Sequence, residues 1–101
     1  MSEFNFELNL AEITEPEYLL TVHSLEPEGW STFDDEPKIS EKDGITYVTI
    51  RLIEDGEIVP DIEIPLTKPE NADHIEVTVK AVDEDGNDLG EPKPKKIDKI
   101  W

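Results

Sequence analysis

The sequence contains no cysteine, and only nine of its 101 residues are lysine or arginine. The first absence excludes disulfides, thiolate metal sites and a cysteine nucleophile. Long apolar runs are also missing, since no stretch approaches the roughly 18 residues that a membrane-spanning helix needs. The first residues carry no basic or apolar segment typical of a secretory signal. We therefore expect no membrane insertion, and a cytoplasmic location if the chain is natural rather than synthetic.

Acidic residues dominate the charge, with 26 aspartates and glutamates and a formal net charge of −17. Such a chain repels nucleic acid phosphates and anionic lipids, so we expect neither as a partner. No lysine or arginine precedes Lys38, whereas Lys93, Lys95, Lys96 and Lys99 lie within the last ten residues. The charge predicts a soluble surface, and any protein partner is expected to be basic.

Period-two alternation is the strongest structural pattern in the chain. Ile75, Val77, Val79 and Ala81 share one face of a predicted strand, which Asp-Gly-Asn residues then end. Similar patterns predict strands at 4–10, 18–25, 38–40, 45–53 and 61–66, with a last extended segment at 89–96. The length fits one domain, residues 1–101. We predict an all-β fold, an antiparallel two-sheet β-sandwich of about seven strands.

The turn signals constrain how these strands pair. Asp55-Gly56 predicts a two-residue hairpin turn. If the pairing of that hairpin continued past Pro60 in the same register, Asp61 would face the core and Ile62 would face solvent. The pairing should therefore end near Pro60, followed by a bulge or a crossing to the other sheet. Pro65 cannot donate a ladder hydrogen bond, so the strand at 61–66 is expected at a sheet edge.

Two segments resemble fibronectin type III domains. Ile75-x-Val77-x-Val79-x-Ala81-Val82, followed by Asp85-Gly86-Asn87 and Pro92, resembles the penultimate strand and following hairpin of that family. Tyr47-x-Thr49-Ile50-Arg51 with Glu54-Asp55-Gly56 is similar to its central strand and hairpin. The resemblance covers about half of the chain and implies an immunoglobulin- or fibronectin-like arrangement of strands. The Val/Ile-rich strand faces and Asp-Gly turns also follow design rules, so a de novo designed origin stays open.

The irregular region 26–44 supplies the best candidates for a binding surface. Aromatic side chains anchor protein interfaces, and an acidic run follows them here. Either the aromatics form a contact surface, with Tyr18 or Tyr47 near, or they close one end of the core. The candidate binding residues are Trp30, Phe33, Asp34, Asp35 and Glu36.

A second acidic cluster follows the predicted strand at 75–82. Asp83, Asp85, Asn87 and Asp88 carry the oxygen ligands that calcium prefers. The spacing only half matches an EF-hand loop, because Gly86 follows Asp85 directly. A solvated acidic turn is the alternative, and we predict no metal as a firm component.

No catalytic constellation stands out. His23 and His74 would have to lie close together among suitable acids to form a metal or acid–base site. We expect no cofactor and no enzymatic activity. The sequence predicts a monomeric, non-enzymatic scaffold or binding module, with loops 26–44 and 83–91 available for recognition. The alternatives are an acidic inhibitor of viral type, which imitates nucleic acid in a basic groove, and a domain adapted to high salt.

Overall fold

The structure, a computed structural model, describes residues 5–26, 30–34, 36–54, 61–90 and 93–101. Every regular element in these ranges is a β-strand, which confirms the all-β prediction. None of the described residues form a helix that is long and apolar enough to cross a membrane. The eight strands are β1 (Asn5–Thr14), β2 (Glu17–Glu26), β3 (Trp30–Thr32), β4 (Lys38–Lys42), β5 (Ile45–Glu54), β6 (Ile62–Thr67), β7 (His74–Ala81) and β8 (Lys95–Ile100).

The strands form two sheets. One sheet has three strands in the order β1-β2-β6, and the other has five, in the order β3-β5-β7-β8 with β4 also beside β5. The strand count exceeds the expected seven by one strand, β3, which was not predicted and which pairs with β5 next to the stretch of β5 that pairs with β4. A turn at Asp43-Gly44 joins β4 to β5.

Of the two alternatives predicted after Pro60, a bulge or a crossing between sheets, the structure shows the crossing. β5 belongs to the five-stranded sheet and β6 to the three-stranded sheet. β6 lies at the edge of its sheet, as Pro65 indicated, and Pro65 stands opposite Leu19 of β2. The predicted hairpin turn at Asp55-Gly56 lies outside the described residues.

The prediction of wholly antiparallel sheets is wrong at one place. β5 and β7 pair in parallel, from Ile45 opposite His74 to Leu52 opposite Ala81. The reason is connectivity, because the strand between them, β6, lies in the other sheet. A chain that leaves a sheet, runs back along the other sheet and returns comes back in its original direction. The other strand pairs of the described residues are antiparallel.

Both sheets contribute to one hydrophobic core. Alternate residues of β5 and β7 are buried, and the side chains between them are only partly buried, as the period-two pattern predicted. Each fully buried aliphatic side chain contributes roughly 1.5–3 kcal/mol. The buried cluster comprises Phe6, Leu20, Val22, Trp30, Val48, Ile50, Leu52, Ile64, Leu66, Ile75, Val77, Val79 and Ala81.

The C-terminal strand differs from the prediction. It is β8 at Lys95–Ile100 and not a segment at 89–96, because Pro92 and Pro94 precede it and lack ladder donors. Ile97 and Trp101 pack against the core, whereas Ile100 is 74% exposed. Trp101 Nε1 donates a 3.1 Å hydrogen bond to the His74 carbonyl oxygen.

Candidate functional site

The most elaborate side-chain cluster lies around Arg51, the single arginine of the chain. Arg51 Nε donates to Asp34 Oδ2 at 2.8 Å, and Arg51 Nη2 donates to Asp34 Oδ1 at 2.6 Å. This two-point geometry is the one in which an arginine–carboxylate pair is strongest. Hydrogen bonding from Arg51 lowers the pKa of the Asp34 carboxyl, and Asp34 in turn raises the pKa of Arg51. The pair is therefore ionised at neutral pH.

Phe33 completes the inner part of the cluster. The Arg51 guanidinium carbon lies 4.9 Å from the centre of the Phe33 ring, within the range of a cation–π contact. The Phe33 backbone N–H donates a 2.8 Å hydrogen bond to the Arg51 carbonyl oxygen, which ties the segment after β3 to β5. The backbone thus fixes where the ring lies.

The loop after β7 packs onto the same cluster. A Cβ added to Gly86 would lie 3.3 Å from Arg51 Nη1 and 3.3 Å from Phe33 Cε2. Gly86 also has a φ of +86°, a conformation that favours glycine. The two loops predicted from the sequence as recognition segments, 26–44 and 83–91, therefore meet at Arg51.

A self-contained turn holds that loop in place. The Asp83 carboxylate accepts 2.9 Å hydrogen bonds from the backbone N–H groups of Asp85 and Asn87. The bond from Asn87 is the main reason why the pKa of the Asp83 carboxyl is lowered. Asp88 Oδ1 lies 3.3 Å from Lys80 Nζ. The Asp83 carboxylate is thus hydrogen-bonded to the backbone, and the Asp88 carboxylate is paired with a lysine.

The calcium candidates are not brought together as a ligand set. Asp83, Asp85, Asn87 and Asp88 lie in the turn just described, and the described part of the chain holds no group of three or more histidine, aspartate or glutamate side chains placed for a metal ion. The EF-hand spacing was only partial, and the turn satisfies Asp83 from its own backbone instead.

Two cavities flank the Arg51–Asp34 pair. The first, of about 230 Å³, lies where the two sheets approach each other; its lining residues are Thr32, Asp34, Pro37, Ile50, Arg51, Asp61, Ile62 and Glu63. The second, of about 210 Å³, lies on the outer face of the five-stranded sheet; its lining residues are Asp34, Glu36, Lys38, Thr49, Arg51 and Lys80. Both are smaller than sites that hold a drug-sized molecule, which start at about 300 Å³.

A histidine–carboxylate pair lies beside the first cavity. His23 Nδ1 is in hydrogen-bond contact with Asp61 Oδ1, and both side chains are about half exposed. This contact is the main reason why the pKa of His23 is raised above its usual value, and Glu7 adds to the effect. Because His23 gains a positive charge on protonation, the net charge at this wall of the cavity changes with pH near neutrality. His74 lies at the start of β7 in the other sheet.

The predicted binding residues lie in different environments. Trp30 is 6% exposed and belongs to the core, so it closes one end of the core and offers no contact surface. Phe33 and Asp34 are half-buried in the Arg51 cluster, and Glu36 is exposed at the second cavity. Asp35 lies outside the described residues.

The predicted aromatic neighbours lie elsewhere. The Tyr18 ring meets the Trp101 ring edge-on, with centroids 5.2 Å apart. The Trp101 side chain is hydrogen-bonded to the backbone of His74, and His74 lies opposite Ile45, the first residue of β5. Trp30 lies opposite Glu54, the last residue of β5. Tyr18 and Trp30 are thus at opposite ends of β5, which is about 30 Å long. Tyr18 and Trp30 therefore do not share one surface.

Sequence reasoning did not place Arg51, Lys80 or Asp61 in a site, and it weighed His23 only together with His74. A signal for Arg51 was present, because it is the single arginine in a chain that otherwise uses lysine, and it lies on the outer face of a predicted strand. Arginine is the residue suited to two-point carboxylate binding. The His23–Asp61 contact has no such local signal, since its partners are 38 residues apart.

The charges of the strands divide between the two sheets. Strands of the three-stranded sheet contain carboxylates and no lysine or arginine, whereas those of the five-stranded sheet contain more bases than acids. The acids of the first sheet are Glu7, Glu12, Glu17, Glu26 and Glu63. Those of the second are Glu41, Glu54, Glu76 and Asp98, against Lys38, Lys42, Arg51, Lys80, Lys95, Lys96 and Lys99.

Comparison of the chain with protein-family models, with curated proteins and with solved structures finds no match.

Proposed function

We propose that the protein is a non-enzymatic binding module, an immunoglobulin- or fibronectin-like β-sandwich whose three-stranded sheet faces a basic protein partner. The observation that carries this proposal is the division of charge between the sheets. An acidic surface of one sign steers basic partners toward it, while the mixed charges of the other sheet do not. The Arg51 cluster supports the proposal, because it presents fixed ionised groups around small cavities.

A titration with a lysine-rich peptide tests the proposal. We expect saturable binding, measured by calorimetry, at about 10 mM salt and much weaker binding at about 1 M salt, where the Debye length falls to about 3 Å. Absence of binding at low salt would refute a basic partner.

A pair of charge-matched variants shows which sheet is responsible. Glu7→Gln/Glu63→Gln removes two carboxylates from the three-stranded sheet, and Glu41→Gln/Glu54→Gln removes two from the five-stranded sheet. We expect the first variant to bind the peptide about three- to tenfold more weakly than the second. Equal weakening would mean that the net charge alone governs binding, and would contradict the proposed surface.

The alternative, a nucleic-acid mimic that occupies a basic groove, rests on the same division of charge. A mimic needs a charge density near that of a duplex, one charge per about 1.7 Å of axis. The five acids of the three-stranded sheet are spread along β1, β2 and β6, whose longest strands have ten residues. Such a strand is about 33 Å long, so the acids are several-fold sparser than duplex phosphates. Competition with duplex DNA for a basic DNA-binding domain would separate the two functions.

A further inference from the structure

The cavity between β6 and the segment from Thr32 to Pro37 has the features of a slot for one long basic side chain. It lies where the edge strand of the three-stranded sheet faces the five-stranded sheet. At about 230 Å³ it is too small for a drug-sized ligand, and a single side chain is the better match.

The floor of this slot is apolar. Ile50 is 3% exposed, and Ile62 is half-buried and packs against the core. Lysine and arginine bury their methylene stems against such surfaces while their charged heads remain at the polar rim. A short cationic group would leave this floor uncovered.

The rim of the slot is acidic. Arg51 and Asp34 bind each other, so their charges are mutually compensated. Asp61 and Glu63 then remain as the carboxylates of the opposite wall, and both are exposed. A protonated His23 compensates the negative charge of Asp61, whereas a neutral His23 leaves that charge uncompensated. The local charge thus complements a cation.

We propose that this slot receives a lysine or arginine side chain of a basic partner protein, with the stem on Ile50 and Ile62 and the cationic head at Asp61 and Glu63. The inference rests on the proposed function and adds to it the position of one contact. It requires that both the charge and the length of the incoming side chain affect binding, whereas general attraction to an acidic sheet requires charge alone.

Two peptides of equal charge test the slot. One is lysine-rich; in the other each lysine is replaced by diaminobutyric acid, whose ammonium group stands on a shorter stem. We expect the lysine peptide to bind about tenfold more tightly, because its longer stems bury additional methylene groups. Backbone amide shifts on binding should be largest at Thr32, Ile62 and Glu63.

Charge-matched single variants provide the second measurement. Glu63→Gln removes a rim carboxylate of the slot, and Glu41→Gln removes one from β4. Both side chains are exposed, so neither substitution threatens the fold. We expect Glu63→Gln to weaken binding of the lysine peptide by about three- to fivefold and Glu41→Gln to leave it nearly unchanged.

The outcomes separate the slot from the proposed function. Dependence on stem length together with selective loss in Glu63→Gln supports the slot. If the two peptides bind equally well, the slot is refuted; the acidic sheet then remains as the binding surface if Glu7→Gln/Glu63→Gln still weakens binding more than Glu41→Gln/Glu54→Gln does. If neither peptide binds at low salt, both proposals fail.

Discussion

Arg51 and Asp34 form a two-point ion pair across 17 residues of sequence, with nitrogen–oxygen distances of 2.8 and 2.6 Å. The pair joins β5, a central strand, to the segment between β3 and β4. It stands between two cavities, and the loop after β7 packs against it. The predictions below begin with this pair.

A double-mutant cycle with Arg51→Gln and Asp34→Asn should give a coupling energy of roughly 1 kcal/mol in urea unfolding. The two side chains are 33% and 28% exposed, so solvent screening limits the value. The Lys80–Asp88 pair, with one contact at 3.3 Å and an Asp88 side chain that is 65% exposed, is the control. It should couple by no more than a few tenths of a kcal/mol. Equal coupling in both pairs would contradict the special role of the two-point geometry.

Gly86→Ala should destabilise the protein more than Gly90→Ala. Both glycines have nearly the same positive φ, +86° and +84°, so both substitutions incur a similar backbone cost of about 1 kcal/mol. Only at Gly86 would the new Cβ meet other atoms, at 3.3 Å from Phe33 and Arg51; at Gly90 nothing lies within 4 Å. We expect an additional loss of about 1 kcal/mol for Gly86→Ala, measured by chemical denaturation. Equal losses would show that the loop does not pack firmly on the cluster.

His23 should make the stability depend on pH near neutrality. The pKa of His23 is raised in the folded state, chiefly by its hydrogen bond with Asp61. The resulting stabilisation is complete below the unfolded pKa of about 6.5 and is lost as the pH rises through the higher folded value. Urea unfolding at about pH 6 and about pH 8 should therefore show a decrease that His23→Gln reduces.

Two observations would check the cause of that decrease. Asp61→Asn should lower the His23 pKa, followed by its imidazole proton shifts in NMR. The decrease in stability between about pH 6 and about pH 8 should also be smaller in Asp61→Asn than in the wild type. A decrease that persists unchanged in His23→Gln would assign the pH dependence to another group.

Added sodium chloride should raise the melting temperature. Repulsion among the acids of the three-stranded sheet is not offset by any lysine or arginine in its strands. Salt at about 1 M screens such charges almost completely, and each kcal/mol of repulsion that is relieved corresponds to roughly 4–8 °C. Melting followed by circular dichroism should show a smaller gain in Glu7→Gln/Glu63→Gln than in the wild type. A melting temperature above about 90 °C at low salt would instead favour an idealised, designed scaffold.

Most of the strands, though not β3 or the bounds of β8, could be predicted from the sequence because their signal is local. Alternation at Val48, Ile50 and Leu52 shows directly which side chains face the core, and Pro65 marks an edge. Which strands become neighbours is not a local property. β5 and β7 have the same alternation whether they pair in parallel, in antiparallel fashion or not at all.

The candidate site shows the same limit. Phe33 and Asp34 were identified because an aromatic beside acids in an irregular loop is unusual. Their partners, Arg51 and Gly86, come from a strand and a loop that only the tertiary fold brings near. For Trp30 the sequence left open whether the ring is exposed or closes one end of the core, because a buried aromatic and an exposed one have the same local sequence. Burial depends on which strands cover it.

The parallel pairing of β5 with β7 has a consequence for how fast the chain folds. Ile45 and His74, which are opposite each other at one end of this pair, are 29 residues apart in sequence. Their loop has to close, with β6 in the other sheet, before the centre of the five-stranded sheet can form. Proteins dominated by such distant contacts fold in milliseconds to seconds, and we expect stopped-flow refolding to fall in that range. Val77→Ala, at the centre of the pair, should slow refolding if this closure limits the rate, and should chiefly speed unfolding if it follows the rate-limiting step.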